Sequence, residues 1–208
     1  RGYDSAGLAV LDAGEIHRVR AKGKVREMEQ RYLEHPIPGG TGIAHTRWAT
    51  HGAPTEGNAH PHVAGRVAVV HNGIIENHAE LKKELLAQGR AFTSETDTEV
   101  IAHLIDAGIE SGLPLRDAVI AAANRLEGAY AIAALALHEP DRIVGARRGS
   151  PLIAGIGVGE NFLGSDVQAL IKVTAQVIYL EEGDVVEIQR DAVRVFDLRG
   201  REARRDTH

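Results

Sequence analysis

Residues 41–52 read TGIAHTRWATHG, and residues 67–73 read VAVVHNG after an intervening loop. Each segment contains a short apolar run, at residues 42–44 and 67–70, and ends in polar residues. An apolar run of this length is typical of a buried strand, which brings the polar side chains that follow it to the edge of a sheet. We therefore expect two buried strands that gather the reactive groups of the protein in one place.

The polar residues of these segments suit a site for an anionic amino acid. Arg47 carries a planar pair of donors that matches a carboxylate, and Trp48 beside it is large enough to cover a ligand. Asn72 and Gly73 offer a side-chain amide and a backbone N–H, from which an oxyanion hole can be built. From spacing alone, Arg47 can equally be a surface ion-pair partner, with Trp48 in the core. An Asn-Gly pair ordinarily marks a hairpin turn, although here the residues after it lead into a helix.

Asp97 lies in the segment SETDTE, residues 94–99, at the start of a predicted helix. An acidic residue at that position ordinarily compensates the helix dipole. It can also bind an ammonium group, and Asp97 and Arg47 are then the two ends of a clamp for an amino acid.

Composition and charge limit the classes of function. The 208 residues are 43% hydrophobic and 25% charged, as is typical of a soluble globular protein, and we assign residues 1–208 to one domain. The net charge of −5, without a basic block, argues against a nucleic-acid partner. No apolar run has membrane-spanning length and no signal segment opens the chain, so we expect no membrane contact and a cytoplasmic protein.

Cysteine is absent, whereas histidine occurs eleven times. Without cysteine the chain has no disulfide, no thiolate metal site and no thiol nucleophile. The histidines at positions 45, 51, 60, 62, 71 and 78 lack the spacing of a compact zinc signature. We therefore predict no metal and no cofactor, and expect these histidines to bond the backbone around a loop.

The remaining pattern predicts strands near both ends of the chain and helices between them. Two capping boxes, Asn77 with Glu80 and Thr96 with Glu99, mark the starts of two helices. From residue 129 onward, short apolar segments alternate with turn residues, which predicts a further group of strands. This order indicates two sheets with helices packed outside them. The polar segment 199–208 is expected to fray.

Several ordered motifs resemble a single family over essentially the whole chain. They are RGYDSAG (1–7), GIAHTRWATHG (42–52), NAHPH (58–62), VVHNGIIENH (69–78), SETDTEVIAHL (94–104), LEGAYA (126–131), GSPL (149–152) and YLEEGD (179–184). This combination resembles the glutaminase domain of glucosamine-6-phosphate synthase, or glutamine–fructose-6-phosphate aminotransferase (isomerizing), a class II glutamine amidotransferase.

The resemblance implies an α+β fold of the N-terminal-nucleophile hydrolase type, a four-layer αββα sandwich with two antiparallel sheets between helical layers. It implies that L-glutamine is hydrolysed and that the ammonia passes to a separate C-terminal sugar isomerase domain. There fructose 6-phosphate becomes glucosamine 6-phosphate, in hexosamine biosynthesis. A homodimer is implied for the full-length enzyme.

Roles for the substrate-binding residues follow from the same resemblance. Arg47 is expected to hold the α-carboxylate of glutamine, and Asp97 its α-ammonium group. Thr50 and His51 are expected to add polar contacts, and Trp48 to help close the pocket and gate ammonia.

The catalytic groups that the resemblance implies are an oxyanion hole, formed by Asn72 and Gly73, and an N-terminal cysteine whose own α-amine helps to deprotonate its thiol. The chain contains no cysteine, and Arg1 falls inside the family's YRGYDSAG motif. We therefore expect the first strand and helix, headed by the cysteine, to be missing. Ser5 is no substitute, because the mechanism needs the nucleophile and a free α-amine on one residue. These 208 residues on their own are predicted to be inactive.

Three other interpretations stay open. The glutaminase domain of an amidophosphoribosyltransferase has the same half-reaction with another acceptor, although Trp48 and the NAHPH and IIENH segments favour the sugar synthase. A non-catalytic glutamine-binding or regulatory module has the pocket without the chemistry. A metal-dependent hydrolase is the third.

Overall fold

The computed structural model describes residues 3–48 and 50–208. Arg1 and Gly2 of the first motif, and Ala49 of the second, lie outside the described residues. The helices are α1 Val25–Glu34, α2 His78–Ala87, α3 Glu99–Glu110, α4 Leu115–Ala123 and α5 Val167–Leu170. The strands are β1 Ser5–Asp12, β2 Glu15–Lys22, β3 Thr41–Arg47, β4 His62–Ala64, β5 Val67–Ile75, β6 Gly128–Ala136, β7 Ile143–Arg148, β8 Ile153–Ile156, β9 Asn161–Gly164, β10 Gln176–Tyr179, β11 Val185–Ile188, β12 Val193–Phe196 and β13 Glu202–Ala203. Among the described residues, no helix is long and apolar enough to cross a membrane.

Within the described ranges the strands form one seven-stranded sheet, in the order β13-β12-β11-β7-β6-β5-β4, and two three-stranded sheets, β2-β1-β3 and β10-β8-β9. The pairs within these sheets are antiparallel. The longest pairing in the large sheet is that of β5 with β6, which runs from Val67 opposite Ala136 to Ile75 opposite Gly128. Most of β6 is buried, which explains why its sequence is apolar with little alternation.

The two faces of the seven-stranded sheet are buried against different partners. Successive side chains of a strand point to opposite faces, and one face, which includes Ile132, packs on helices α2, α3 and α4. The other face is covered by the two small sheets. Ile43 of β3 packs in one cluster with Val70 of β5, and Leu152 beside β8 packs in another with Val186 of β11.

Helices α1 and α5 pack against the two small sheets, α1 on β1 and β2, and α5 on β9. The order of layers is therefore helices, large sheet, small sheets and helices. The expected α+β sandwich of antiparallel sheets between helical layers is confirmed. In the described residues its second sheet layer consists of two separate three-stranded sheets.

Strand β5 continues through Asn72 and Gly73 and stays paired with β6 as far as Ile75. Asn72 and Gly73 are therefore not a hairpin turn, and the chain after them leaves the strand at Ile75 and enters helix α2 at His78. Gly73 has φ +131°, and a Cβ built there would lie 2.0 Å from the carbonyl oxygen of Ala129. Only glycine fits this position, because both the backbone angle and the close approach exclude a side chain.

The two predicted capping boxes are wrong in their contacts. Asn77 is the N-cap residue of α2, but its side chain donates to the Arg125 carbonyl at 2.9 Å and accepts from the Glu127 N–H at 3.0 Å. Helix α3 has Thr98 at its N-cap, without a side-chain cap bond, and the Thr96 hydroxyl bonds to a distant histidine instead. In both places the side chain that local spacing predicts as a helix cap forms hydrogen bonds with a residue distant in sequence instead.

The C-terminal segment is not frayed, contrary to expectation. The Arg205 guanidinium donates two bonds, of 2.7 and 2.8 Å, to the buried carboxylate of Asp184. The backbone of His208 pairs with that of Val177 through bonds of 2.8 and 2.9 Å. Strand β13 pairs with β12. The segment is polar because its side chains reach partners in two sheets, and composition alone does not distinguish this from disorder.

Candidate functional site

A cavity of about 360 Å³ lies where β3, β5 and the loop before α3 meet. All seven residues proposed from the sequence line it: Arg47, Trp48, Thr50, His51, Asn72, Gly73 and Asp97. Strand β3 belongs to a small sheet and β5 to the large one. The packing of the two sheet layers, with the loop before α3 alongside, therefore brings these groups together.

Arg47 is buried, with only 4% of its surface exposed, whereas Trp48 is 65% exposed. The interpretation with Arg47 on the surface and Trp48 in the core is therefore wrong for both residues. The Arg47 guanidinium donates to the carbonyls of His51, Gly52 and Ala53, the last two at 3.1 and 3.3 Å. It also lies 3.5 Å from a carboxylate oxygen of Asp4. Arg47 thus holds the loop 51–53 against the cavity wall.

Asp97 is buried and lies before the N-cap of α3, so it does not occupy the first turn of the helix. Its Oδ2 accepts a bond of 2.8 Å from the backbone N–H of Ile75, the last residue of β5. The carboxylate of Glu99 holds the same loop by accepting bonds from residues 93 and 94. Burial raises the pKa of Glu99, but the bonds from His103 and from these residues outweigh it and lower the pKa to about 2. Glu99 therefore stays charged and fixes the loop that carries Asp97.

Loop residues near Trp48 complete the rim of the cavity. Thr50 is exposed, and the ring of His51 makes an edge contact with the ring of His78, with 5.0 Å between their centroids. The Trp48 side chain stands beside them and is open to solvent. The rim therefore consists of two exposed side chains, Trp48 and Thr50, and the half-buried His51, in contrast to the buried Arg47 and Asp97.

A cluster of four histidines, three of which line the cavity, was not predicted: His45, His60, His62 and His71. Bonds to backbone groups, as expected, occur at His60, which accepts from the His71 N–H, and at His78, whose Nδ1 bonds the Ile75 carbonyl at 2.8 Å. The His62 Nε2 bonds the Thr96 hydroxyl at 3.0 Å, and the His45 and His60 rings stack with 4.2 Å between centroids. Among the described residues, no group of three or more acidic or histidine side chains is placed to hold a metal. In the sequence, each of these four histidines lies within one of the motifs quoted above, and this shared position could have indicated the cluster.

The bonds of this cluster determine where the protons lie. The backbone N–H of His71 donates to His60 Nδ1 at 3.3 Å, so the neutral His60 ring carries its hydrogen on Nε2. That Nε2–H donates to the oxygen of the Thr98 hydroxyl at 3.3 Å. The Thr98 hydroxyl then donates its own hydrogen to His71 Nδ1 at 3.0 Å. Burial lowers the pKa of His60 well below its ordinary value and lowers that of His62 to about 3. The rings are neutral at physiological pH.

Acid is expected to destabilise the fold through His60 and His62. In the unfolded chain these residues take up protons below about pH 6.5, whereas in the folded protein they remain neutral to much lower pH. The unfolded state then binds more protons, so stability falls as pH drops, and for His62 the loss approaches about 1.4 kcal/mol per pH unit below pH 6.5. Between pH 7 and pH 5, urea unfolding of the chain should show a loss of about 2 kcal/mol from His62, and His60 adds to it in the same direction.

A matched pair of variants tests whether His62 causes this loss of stability in acid. His62→Gln is expected to reduce the pH dependence of the unfolding free energy by about 1.4 kcal/mol per unit below pH 6.5, whatever its effect at pH 7. His35→Gln, at an exposed position after α1, is expected to leave it unchanged. A His62→Gln variant with the pH dependence of the wild type would contradict the explanation.

Sequence relatives place these residues in a known context. The glutamine amidotransferase domain family matches residues 45–172. The glutamine–fructose-6-phosphate aminotransferase (isomerizing) of Pseudomonas putida is 59% identical over 100% of this chain, and that of Escherichia coli K12 is 56% identical over 99%. The chain spans about a third, 34%, of the length of these relatives.

Solved structures of amidotransferases share the fold. The glutamine phosphoribosylpyrophosphate amidotransferase of B. subtilis, complexed with ADP and GMP, has a TM-score of 0.77 and 26% identity, over 95% of this chain and 43% of that one. A glutamine aminotransferase class-II domain protein from Silicibacter pomeroyi has a TM-score of 0.64 and 20% identity, over 92% and 90%. The second is a likeness of fold alone. The much lower identity of the first, compared with the sugar-phosphate aminotransferases, makes it a distant relative.

Proposed function

The chain belongs to the glutamine amidotransferase domain family, and on this premise we propose that its cavity binds and hydrolyses L-glutamine as part of a larger protein. The ammonia then converts fructose 6-phosphate to glucosamine 6-phosphate in a C-terminal sugar isomerase domain. The names of the relatives support this acceptor. The observation that carries the proposal is the convergence of Arg47, Asn72 and Asp97, from three separate segments, on one cavity.

The two buried charges account for recognition of an amino acid. We assign the α-carboxylate of glutamine to Arg47 and its α-ammonium group to Asp97. A carboxylate is a stronger, charge-assisted partner for a guanidinium than the loop carbonyls that Arg47 now contacts, and the Asp4 carboxylate at 3.5 Å would share the guanidinium with it. Thr50 and His51 add polar contacts at the rim. The cavity, at about 360 Å³, has room for a small amino acid.

The remaining cavity residues supply the chemistry of amide hydrolysis. The Asn72 amide and the Gly73 N–H are assigned to the oxyanion that forms when the glutamine carboxamide is attacked. Trp48, exposed at the rim, is assigned to closing the pocket and gating ammonia. Neither role needs a metal or a cofactor.

The nucleophile must come from a cysteine, and the 208 residues contain none. Ser5 cannot take its place, since it is fully buried and its hydroxyl donates to Asp4. Oxyanion donors alone do not replace a missing nucleophile. We therefore propose that the 208-residue chain by itself hydrolyses no glutamine, whereas the full-length gene product does. That product is proposed to be a cytoplasmic homodimer.

A non-catalytic glutamine-binding module is the second candidate. It is favoured by one observation, the presence of a complete binding cavity in a chain without cysteine. The two functions differ in whether the full-length gene product releases glutamate.

The test is glutamate release from glutamine by the full-length gene product, with and without fructose 6-phosphate, beside the 208-residue chain. We expect release by the full-length protein, stimulated by the sugar phosphate, and none by the chain. If the full-length protein binds glutamine but releases no glutamate, the binding module becomes the better account. If phosphoribosyl pyrophosphate, and not fructose 6-phosphate, stimulates glutamate release by the full-length protein, the proposed acceptor is contradicted.

A further inference from the structure

The amide assigned to the oxyanion belongs to an exposed side chain, Asn72, whose orientation needs an explanation. The torsion of a terminal amide is broad and roughly two-fold, so little intrinsic preference separates the two orientations. In one orientation the NH2 group faces the cavity and can stabilise an oxyanion. In the other the amide oxygen faces it and repels negative charge. A contact to the amide of Asn72 has to choose between them.

His45 makes that contact. Its Nε2 lies 2.7 Å from Asn72 Oδ1. An amide oxygen only accepts hydrogen bonds, so Nε2 carries the hydrogen and donates it. With Oδ1 held by His45, both hydrogens of Asn72 Nδ2 remain for the cavity. With the hydrogen on Nε2, the reverse orientation places two donors against each other and loses this bond, and it could regain a bond only if the hydrogen moved to Nδ1.

We propose that His45 is a positioning residue for the oxyanion hole, since its Nε2–H donates to Asn72 Oδ1 and turns the amide NH2 toward the cavity. The inference rests on the proposed glutaminase function and deepens it. His45 itself is not assigned to any contact with substrate.

The surroundings of His45 suit this role. His45 lies on β3 and Asn72 on β5, so their bond joins the two sheet layers at the cavity. The His45 ring stacks on His60, with an angle of 16° between ring planes, and His60 is held by His71 and Thr98. Burial lowers the pKa of His45 to about 4, against the opposing effect of the Asn72 bond, so the ring adds no positive charge beside the site at neutral pH. The donor is thus fixed in place and neutral.

Two substitutions at position 45 separate positioning from general packing. The Nε2 of glutamine is as many bonds from Cα as the Nε2 of histidine, whereas the Nδ2 of asparagine is one bond closer. His45→Gln therefore keeps a donor within reach of Asn72, whereas His45→Asn carries the same amide group on a side chain one bond too short to reach it. In the full-length protein we expect His45→Gln to keep kcat within about threefold of the wild type and His45→Asn to lower kcat about tenfold, with KM nearly unchanged.

A double substitution tests whether the effect passes through Asn72. In the Asn72→Ala background His45→Asn should lower kcat by less than about twofold, because no amide remains to be positioned. Phe196→Leu, at a buried ring of β12 outside the cavity, serves as the control for loss of a buried ring.

Three results overturn the inference. It fails if His45→Gln loses as much kcat as His45→Asn, or if His45→Asn costs the same in both backgrounds. In either case, glutamate release by the wild type leaves the proposed function standing. If the wild-type full-length protein releases no glutamate, the proposed function fails and this inference with it.

Discussion

Replacement of Asn72 by alanine in the full-length protein is expected to lower kcat for glutamine hydrolysis by about 10²–10³-fold, with KM changed by less than about threefold. The amide is assigned to the negative charge that develops on the carboxamide oxygen, which is small in bound glutamine and large in the transition state. Its loss should therefore affect kcat. The Gly73 N–H remains and accounts for the residual activity.

The control for this prediction is Asn77→Ala. Asn77 also bonds backbone groups, at Arg125 and Glu127, but does not line the cavity. Its replacement should affect stability and leave kcat within about twofold of the wild type. A rise in KM with an unchanged kcat in Asn72→Ala would instead assign Asn72 to ground-state binding.

Asp97→Asn is expected to lower kcat/KM for glutamine by about 10²-fold, mainly through KM. The substitution keeps an oxygen that can accept the Ile75 N–H bond, so the loop should stay in place. It removes the negative charge that we assign to the α-ammonium group. The measurement is steady-state glutamate release by the full-length protein.

A substrate analogue isolates the interaction with Asp97. Glutaramate, which is glutamine without its α-amine, should be a poor substrate of the wild type, and Asp97→Asn should reduce its kcat/KM little further. Asp106→Asn provides the control, since Asp106 is equally buried but pairs with Arg90 away from the cavity. If Asp97→Asn lowers kcat/KM for glutamine and glutaramate by the same factor, Asp97 does not bind the ammonium group.

Arg47 makes more contacts within the protein than the sequence predicted. Its donors are engaged by the carbonyls of residues 51–53 and by Asp4. From the sequence, Arg47 was predicted to hold the α-carboxylate of glutamine. Its bonds to the carbonyls of residues 51–53 were not predicted, because side-chain pattern does not specify which backbone groups a buried guanidinium meets.

The helix starts and the chain end show where local pattern was insufficient. Asn77 and Thr96 have the spacing of capping residues, but their side chains bond Arg125, Glu127 and His62. The polar segment 199–208 has the composition of a frayed end, yet Arg205 is held by a buried carboxylate. Both errors have one cause: a partner distant in sequence outcompetes the local one.

The amino-acid sequence by itself determined the residue types of the site, the strands β3 and β5 that carry Arg47 and Asn72, most helices and the family to which the chain belongs. These features are local, because side-chain periodicity and motif order are set by neighbouring residues. Only the tertiary structure decided that Arg47, Asn72 and Asp97 meet in one cavity, and that His45 and His60 form a neutral support beside it. Those contacts arise when two sheet layers pack face to face, which depends on the burial of their apolar faces and leaves no spacing rule in the chain.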